Sequence, residues 1–485
     1  MGQLLLIPAL RINFMLSENT SDEPEVCDGV SSSQLSVSDE MSSAVGILSL
    51  NNQMLSKTFD NQAILITGGT GSFGQKFIST LFDNFKPQSV IVFSRDEFKQ
   101  HHMRTVGGYS EEKYPNLHYV IGDIRNKQRL YETLRDYRVT MVVHTAAIKH
   151  IDICEKNPTE CIDTNIIGSV NIVDACKEAG VRKVLALSTD KCVDPINIYG
   201  ASKLCLERVM IAANNFREIA QNVDDKQRIN EVTNVLNNNS NFNATPVQKD
   251  ATLSFFSWAI KNKQKESNTI FSVARYGNVL GSRGSAIHVF TEQIKSGELK
   301  ITDMNMTRFT IMKQEAVNFA MNCLSMMIGG EVFVPELPSY NIEQLINVMK
   351  PCDNFPVRVT GVRPGEKIHE CMVSKHESHL AIRIIVHKSV QAHGDEPLVP
   401  IRMTTRPLPE KDCLHEKSKQ DIGFYVIRHH YYGGYVDYQK YYAHMCGEEY
   451  VKACEKDWSY VSNGSYSLTN DKLKELIDIA RSENV

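Results

Sequence analysis

Ala63-Ile64-Leu65-Ile66-Thr67-Gly68-Gly69-Thr70-Gly71-Ser72-Phe73-Gly74 joins a short apolar run to a glycine cluster, and a helical pattern then continues through Phe85. An apolar and β-branched run bounded by turn formers reads as a buried strand. Glycine lets the backbone turn tightly and approach a pyrophosphate, which then rests on the helix N-terminus. A glycine pattern alone is a weak signal. Strand before and helix after supply the context a dinucleotide site requires. The reading places Gly68, Gly71, Ser72, Phe73 and Gly74 at a cofactor.

Further strands follow in the same rhythm. Ser89-Val90-Ile91-Val92-Phe93 ends in Ser94, Arg95 and, one turn on, Lys99. An acidic residue at this strand end favours NAD, whereas an arginine accommodates a 2′-phosphate. Ser94, Arg95 and Lys99 favour NADP over NAD, although Asp96 and Glu97 also suit a plain helix start. Leu117–Ile121 leads to Asp123, an acceptor for an adenine amine, and to Ile124 beside it. Thr140–His144 leads to Ala146 and Ala147, small enough to let the cofactor pass. Lys183–Leu187 and Ile270–Val273 complete the set. Strands alternating with helices predict an α/β fold: a doubly wound parallel sheet, with ligands at the carboxyl ends of the strands.

Just past one such end stands Ser188-Thr189-Asp190-Lys191, followed by Tyr199 and, four residues later, Lys203. Residues four apart share a helix face. A lysine cation beside a phenol lowers its pKa, so Tyr199 can act as a base near neutral pH. Asp190 and Lys191 add an acid and a base from another part of the same site. The set suits elimination as well as redox chemistry.

These stretches resemble the extended short-chain dehydrogenase/reductase superfamily and, more closely, the inverting UDP-N-acetylglucosamine 4,6-dehydratases of polysaccharide biosynthesis. The likeness lies in TGGTGSFG at 67–74, FSRDEFKQ at 93–100, GDIR at 122–125, HTAAIKHI at 144–151 and STDK at 188–191. It continues in NIYGASK at 197–203, ARYGNVLGSRGS at 274–285, MTRF at 306–309 and GVRPGEKIHE at 361–370. The resemblance implies a Rossmann fold that holds NADP, with oxidation at sugar C4, loss of water across C5–C6 and hydride return to C6. Tyr199 would take the C4 hydroxyl proton, Thr189 would steady that hydroxyl and Lys203 would hold the nicotinamide ribose. One of Asp190 and Lys191 would remove the C5 proton while the other protonates the departing C6 hydroxyl, with Lys191 favoured as base. Asn278, Arg308 and Arg363 match positions that contact UDP, and arginine suits a diphosphate through its bidentate fork. Lys149 and Glu366 fall in the pocket. Thr310 follows MTRF where an aromatic is common. A homo-oligomer is implied. A 4-epimerase would need no Asp190–Lys191 pair. Retaining dehydratases of this type often carry methionine in place of Tyr199. A non-catalytic sugar-nucleotide scaffold is the third rival.

The remaining sequence bounds these readings. The chain has 485 residues, 42% hydrophobic, and a formal charge of −4, without the basic excess of a nucleic-acid binder. No apolar run approaches the roughly 18 residues of a membrane span. Twelve cysteines without a CxxC pair point to a reducing cytoplasm, and the fifteen histidines show no metal-ligand spacing. Residues 1–57 read as a disordered extension, with a Ser-, Asp- and Glu-rich stretch from Ser17 to Ser43. A Rossmann domain is expected over 58–279, with a low-complexity insertion at about 220–265 and a return at 311–334. A smaller α/β substrate domain is expected over 280–310 and 335–485, with the site between the two. In 385–450 the resemblance fades, and Tyr431–Tyr435 reads as a packed turn.

Overall fold

The computed structural model describes residues 52–214, 268–282, 284–387, 421–428, 439, 442–443, 451–454 and 458–482. The expected insertion, the tail up to residue 51 and the Tyr431–Tyr435 turn lie outside them. The apolar runs form β1 (Ala63–Thr67), β2 (Ser89–Ser94), β3 (Leu117–Ile121), β4 (Met141–His144), β5 (Lys183–Thr189) and β6 (Ile270–Tyr276). After them come β7 (Asn278–Val279), β8 (Leu299–Ile301), β9 (Thr307–Ile311), β10 (Glu331–Pro335), β11 (Ser339–Asn341), β12 (Val357–Val359) and β13 (Cys371–Val373). The last are β14 (Ala381–His387), β15 (Asp421–Arg428), β16 (Val451–Ala453) and β17 (Tyr460–Val461).

Ten strands form one sheet in the order β16-β14-β15-β10-β6-β5-β4-β1-β2-β3. From β3 to β10 every pairing is parallel. The run β3-β2-β1-β4-β5-β6 is the doubly wound dinucleotide-binding order, with the reversal point between β1 and β4. β1, β2, β4 and β6 are buried along their whole length. That explains their continuous apolar sequence, because helices cover both faces of a parallel sheet. The helices Ser72–Asn84 and Lys313–Met326 pack together, and Gln314 Nε2 donates to Thr80 Oγ1 at 3.2 Å. The helices Lys127–Asp136, Gly168–Ala179 and Ile198–Ala212 form the second layer.

Two boundaries differ from those read in the sequence. A helix already spans Asn52–Phe59 and sets the Phe59 ring 5.2 Å from Phe85, ahead of the boundary at residue 58. β14, β15 and β16, placed by the sequence on the substrate side, extend the cofactor sheet instead. β15 pairs antiparallel with β10, and Phe424 lies 6.3 Å from Phe333, so an apolar sheet edge is covered. β7 follows directly on β6, and β13 packs on the turn that follows β5. β9 runs between β7 and β11, so Asn278 pairs with Thr310 and Tyr340 with Arg308.

Candidate active site

The glycine loop folds as the sequence predicts. Gly68 has φ +65°, and a Cβ there would stand 3.0 Å from the Ala146 backbone. A Cβ on Gly74 would fall 2.6 Å from the Gly69 backbone, so only glycine lets the helix start press on the loop. Gly71 is the N-cap of the helix Ser72–Asn84 and contributes no side-chain cap. The first-turn N–H groups from Ser72 and Phe73 onward are therefore free to meet an anion. Beyond β4, the Thr145 hydroxyl donates to Thr67 O at 2.6 Å and the Ala146 N–H to Thr67 Oγ1 at 3.2 Å. This brings Ala146 against the loop, with Ala147 next to it. His144 shares a 2.8 Å hydrogen bond with Thr67 Oγ1. Burial, helped by Lys203, pushes the imidazole down to about 3, so it is neutral and structural.

At the ends of β2 and β3 the predicted residues assemble. Ser94 is buried, with its hydroxyl 3.2 Å from that of Thr70. Arg95 is exposed and 3.5 Å from the Asp123 carboxylate. Asp123 accepts from Arg125 Nε at 3.0 Å and Nη2 at 2.8 Å. Lys99 is engaged by Asp96 at 2.6 Å. Ile124 is buried next to Gly168. These residues fit a dinucleotide: a bare helix end for the pyrophosphate, small residues beside it and cations at the β2 end.

The residues read from the sequence as candidates for the chemistry gather at the end of β5. Thr189 caps a single 3-10 turn, Asp190–Cys192, and its hydroxyl donates to Asp190 Oδ1 at 2.8 Å. Lys191 Nζ donates to Asp190 Oδ1 and to Asn278 Oδ1, each at 3.0 Å, and stands 3.6 Å from Glu370 Oε1. Burial opposes the charge on Lys191, but Asp190 and Glu370 outweigh it and hold the ammonium well above its ordinary value. Asn197 caps the helix Ile198–Ala212 by accepting from the Gly200 N–H at 2.7 Å. The first and second turns of that helix carry Tyr199 and Lys203, both buried.

One electrostatic expectation is overturned. Burial pushes the Tyr199 phenol well above its ordinary value, and the cation that opposes this most strongly is Lys191, aided by the Thr189 hydroxyl. Lys203 is itself depressed to about 8 by burial, against Cys192 and Glu207. Helical spacing foretells that Tyr199 and Lys203 share a face. It says nothing of the desolvation that dominates there.

The substrate-side residues divide. Asn278 touches Lys191. Arg308 spends its guanidinium on the carbonyls of Thr307 at 2.8 Å, Ile368 at 3.0 Å and Lys367 at 3.1 Å. Arg363 is 67% exposed and pairs with Glu366. Lys149 is exposed on the loop after β4. The 361–370 segment is nonetheless docked on the start of the helix Ile198–Ala212: Asn197 Nδ2 donates to Gly365 O at 2.8 Å. Gly365, at φ +83°, approaches so closely that a Cβ would stand 3.0 Å from Asn197 Cβ.

Three groups escaped the sequence reading. Asn165 sits in a wide π turn, Asp163–Ile167, of a kind common at functional sites. It accepts from the Ile148 N–H and donates to Ile148 O and Ser202 Oγ, all at 2.9 Å. The loop after β4 is thereby tied to the helix that carries Tyr199 and Lys203. Arg275, fully buried, joins Glu207 at 2.7 Å to Glu377 at 2.8 Å. Glu207 also accepts from Cys192 Sγ at 3.0 Å, at the end of the Asp190–Cys192 turn. Glu370 is the third. Only a buried charge or amide in an otherwise ordinary pattern signals these residues, and burial is invisible before folding.

Sheet order, glycine loop and the helices packed on the sheet together define an NAD(P)-binding Rossmann-fold protein. The chain belongs to the polysaccharide biosynthesis protein family, whose pattern matches residues 64–239 and 243–391. It is 41% identical over 324 residues to the inverting UDP-N-acetylglucosamine 4,6-dehydratase of Campylobacter jejuni serotype O:2, covering 66% of this chain and 80% of that one. It is 34% identical over 325 residues to the UDP-glucose 4-epimerase of Rickettsia bellii, again covering 66% and 80%. Among solved structures, Pen from Bacillus thuringiensis superimposes with a TM-score of 0.61 at 25% identity, covering 87% of this chain and 98% of that one. Among the described residues no helix is long and apolar enough to cross a membrane.

Proposed function

We propose that the protein is an NADP-dependent 4,6-dehydratase that converts UDP-N-acetylglucosamine to a 4-keto-6-deoxy sugar nucleotide with inversion at C5. The observation that carries this reading is the contact of Lys191 with Asp190 at 3.0 Å, in the same buried site as Tyr199. The 41% identity to the Campylobacter enzyme supports it. A nicotinamide dinucleotide bound over the glycine loop supplies hydride acceptance and return. Tyr199 takes the C4 hydroxyl proton as its phenolate, a form that burial disfavours in the resting site and that the Lys191 ammonium and the Thr189 hydroxyl stabilise. Lys203 and Thr189 position the ribose and the reacting hydroxyl.

Elimination needs a base at C5 and an acid at C6. In the resting site the proton lies on Lys191. Its transfer across the 3.0 Å contact to Asp190 leaves a neutral amine and a protonated carboxyl, the forms required. That transfer follows C4 oxidation, once Tyr199 is a neutral phenol and no longer draws on the Lys191 charge; in a site closed to water the neutral pair is favoured over the ion pair. Lys191 then takes the C5 proton and Asp190 protonates the leaving C6 hydroxyl.

Ser94 and Arg95 support NADP over NAD, because Arg95 is free to meet a 2′-phosphate by leaving Asp123. Asn278 and Lys149, with Arg308, Arg363 and Glu366 on or beside the 361–370 clamp, frame the UDP side. The exposed Ile153, Ile162 and Ile167 on consecutive short helices support a homo-oligomer. The nine free cysteines among the described residues suit a reducing cytoplasm. For an epimerase, the kind of relative found in Rickettsia, the Asp190–Lys191 pair is surplus.

The test is incubation with UDP-N-acetylglucosamine in deuterated water, followed by proton NMR. The reading requires a 6-deoxy-4-keto product with deuterium at an inverted C5. A retained C5 configuration, or UDP-N-acetylgalactosamine without deuterium, overturns it.

A further inference from the structure

Glu370 lies in none of the site sets read from the sequence, yet its carboxylate is buried beside the reacting pair. Its Oε1 is 3.6 Å from Lys191 Nζ and 4.0 Å from Arg308 Nε. Its Oε2 is buried without a hydrogen-bond partner among the described residues, and so is Asp190 Oδ2. Native proteins keep few such oxygens, since each forfeits its solvation.

The support behind Glu370 is rigid. Its N–H donates to Ser462 Oγ at 2.9 Å, and its carbonyl accepts from the Ser462 N–H at 2.9 Å. Ser462 Oγ is in turn 2.6 Å from Thr307 Oγ1 at the start of β9. Arg308 holds the carbonyls of Lys367 and Ile368 just upstream. Several distant segments are thus spent on delivering one carboxylate to Lys191.

We propose that Glu370 is a positioning residue for Lys191: a second carboxylate that, with Asp190 and Asn278, fixes the Nζ atom and keeps it an ammonium until the sugar is bound. The reaction that follows rests on the dehydratase reading; the coupling of Glu370 to Lys191 does not. The ionisable groups that face Lys191 are Asp190 on its own turn, Tyr199 on the catalytic helix, Arg308 on β9, Tyr340 on β11 and Glu370. Arg308 repels an ammonium and a neutral phenol does little for it. The two carboxylates therefore carry the effect.

The experiment measures how fast acetic anhydride modifies Lys191 across a pH series, read by peptide mass spectrometry, in the wild type, Glu370→Gln and Glu370→Asp. Losing one of two flanking carboxylates lets the ammonium give up its proton more readily. The Glu370→Gln curve should move to lower pH by about one to three units. Glu370→Asp keeps the charge one methylene further away, so its curve should move less in the same direction. If Glu370→Gln does not fold, the Asp variant decides. The limb of kcat governed by Lys191 should move with the labelling curve. Superimposable curves in the variants that fold overturn the proposal, even with normal turnover. Shifted curves in a protein that leaves UDP-N-acetylglucosamine untouched uphold Glu370 and refute the dehydratase reading instead.

Discussion

Replacing Arg275 by methionine tests the buried ionic bridge beneath the site. The guanidinium is fully buried and donates to Glu207 Oε1 at 3.0 Å and Oε2 at 2.7 Å. It also donates to Glu377 Oε1 at 2.8 Å, Glu377 Oε2 at 3.0 Å and Met372 O at 2.7 Å. Methionine fills part of the space but leaves both carboxylates buried without their cation. Breaking a buried pair from one side costs about 3–5 kcal/mol, because the remaining charge stays desolvated. The sign of the pH dependence follows from Glu207. Burial raises its carboxyl value, but Arg275 outweighs burial and holds it low. In the wild type that stabilisation is present above the unfolded carboxyl value of about 4.3 and fades as pH falls through the folded one. In the variant burial acts alone, so the folded value lies above the unfolded one and protonation relieves the penalty. The gap in unfolding free energy between the two proteins should be about 3–5 kcal/mol near neutral pH and narrow on acidification. Urea unfolding followed by circular dichroism, at neutral and mildly acidic pH, measures it. A gap below about 1 kcal/mol, or one constant with pH, refutes the account of the bridge.

Other outcomes follow from the same geometry. Tyr199→Phe should lower kcat by about 10²–10⁴-fold while the protein still binds dinucleotide, as read by steady-state kinetics and fluorescence titration. Asn165→Leu leaves Ile148 N–H and O and the Ser202 hydroxyl without their partner, so thermal denaturation should show a loss of about 1–3 kcal/mol for the worst-satisfied group. Lys203 is neutral in the folded protein above about 8 but keeps its proton to about 10.5 when unfolded. The wild type should therefore gain stability over Lys203→Met as pH rises through that window, by up to a few kcal/mol, and melting curves at several pH values will show whether it does. Arg95→Ala should weaken NADP about tenfold while sparing NAD, measured by titration calorimetry.

The parallel half of the fold was legible because each strand is a continuous apolar run closed by a glycine or polar turn, from Ala63–Thr67 to Ile270–Val273. The grouping of Asp190–Lys191 with Tyr199–Lys203 was legible because both pairs are local spacings. β14 to β16 were not, since apolar segments so far from the glycine loop carry no mark of which sheet they join. The helix Asn52–Phe59 was hidden at the end of a polar stretch. Asn165, Arg275 and Glu370 mean nothing until Ile148, Glu207 and Lys191 are brought to them. The charge state of Tyr199 was misjudged for the same reason: spacing reveals neighbours, whereas desolvation depends on everything that packs around them.

β15 lies between β10 and β14 in the sheet, although it follows both in the chain. A chain leaving the ribosome therefore presents β10 and β14 before the strand that joins them exists. From residue 387 to residue 428 the exposed edge waits about 2 to 8 s at ordinary rates of synthesis. During that interval an apolar strand edge is open to other nascent chains. Joining of β14 to the sheet is thus timed by the synthesis of β15, and a product released between these strands would keep the β10 edge unprotected.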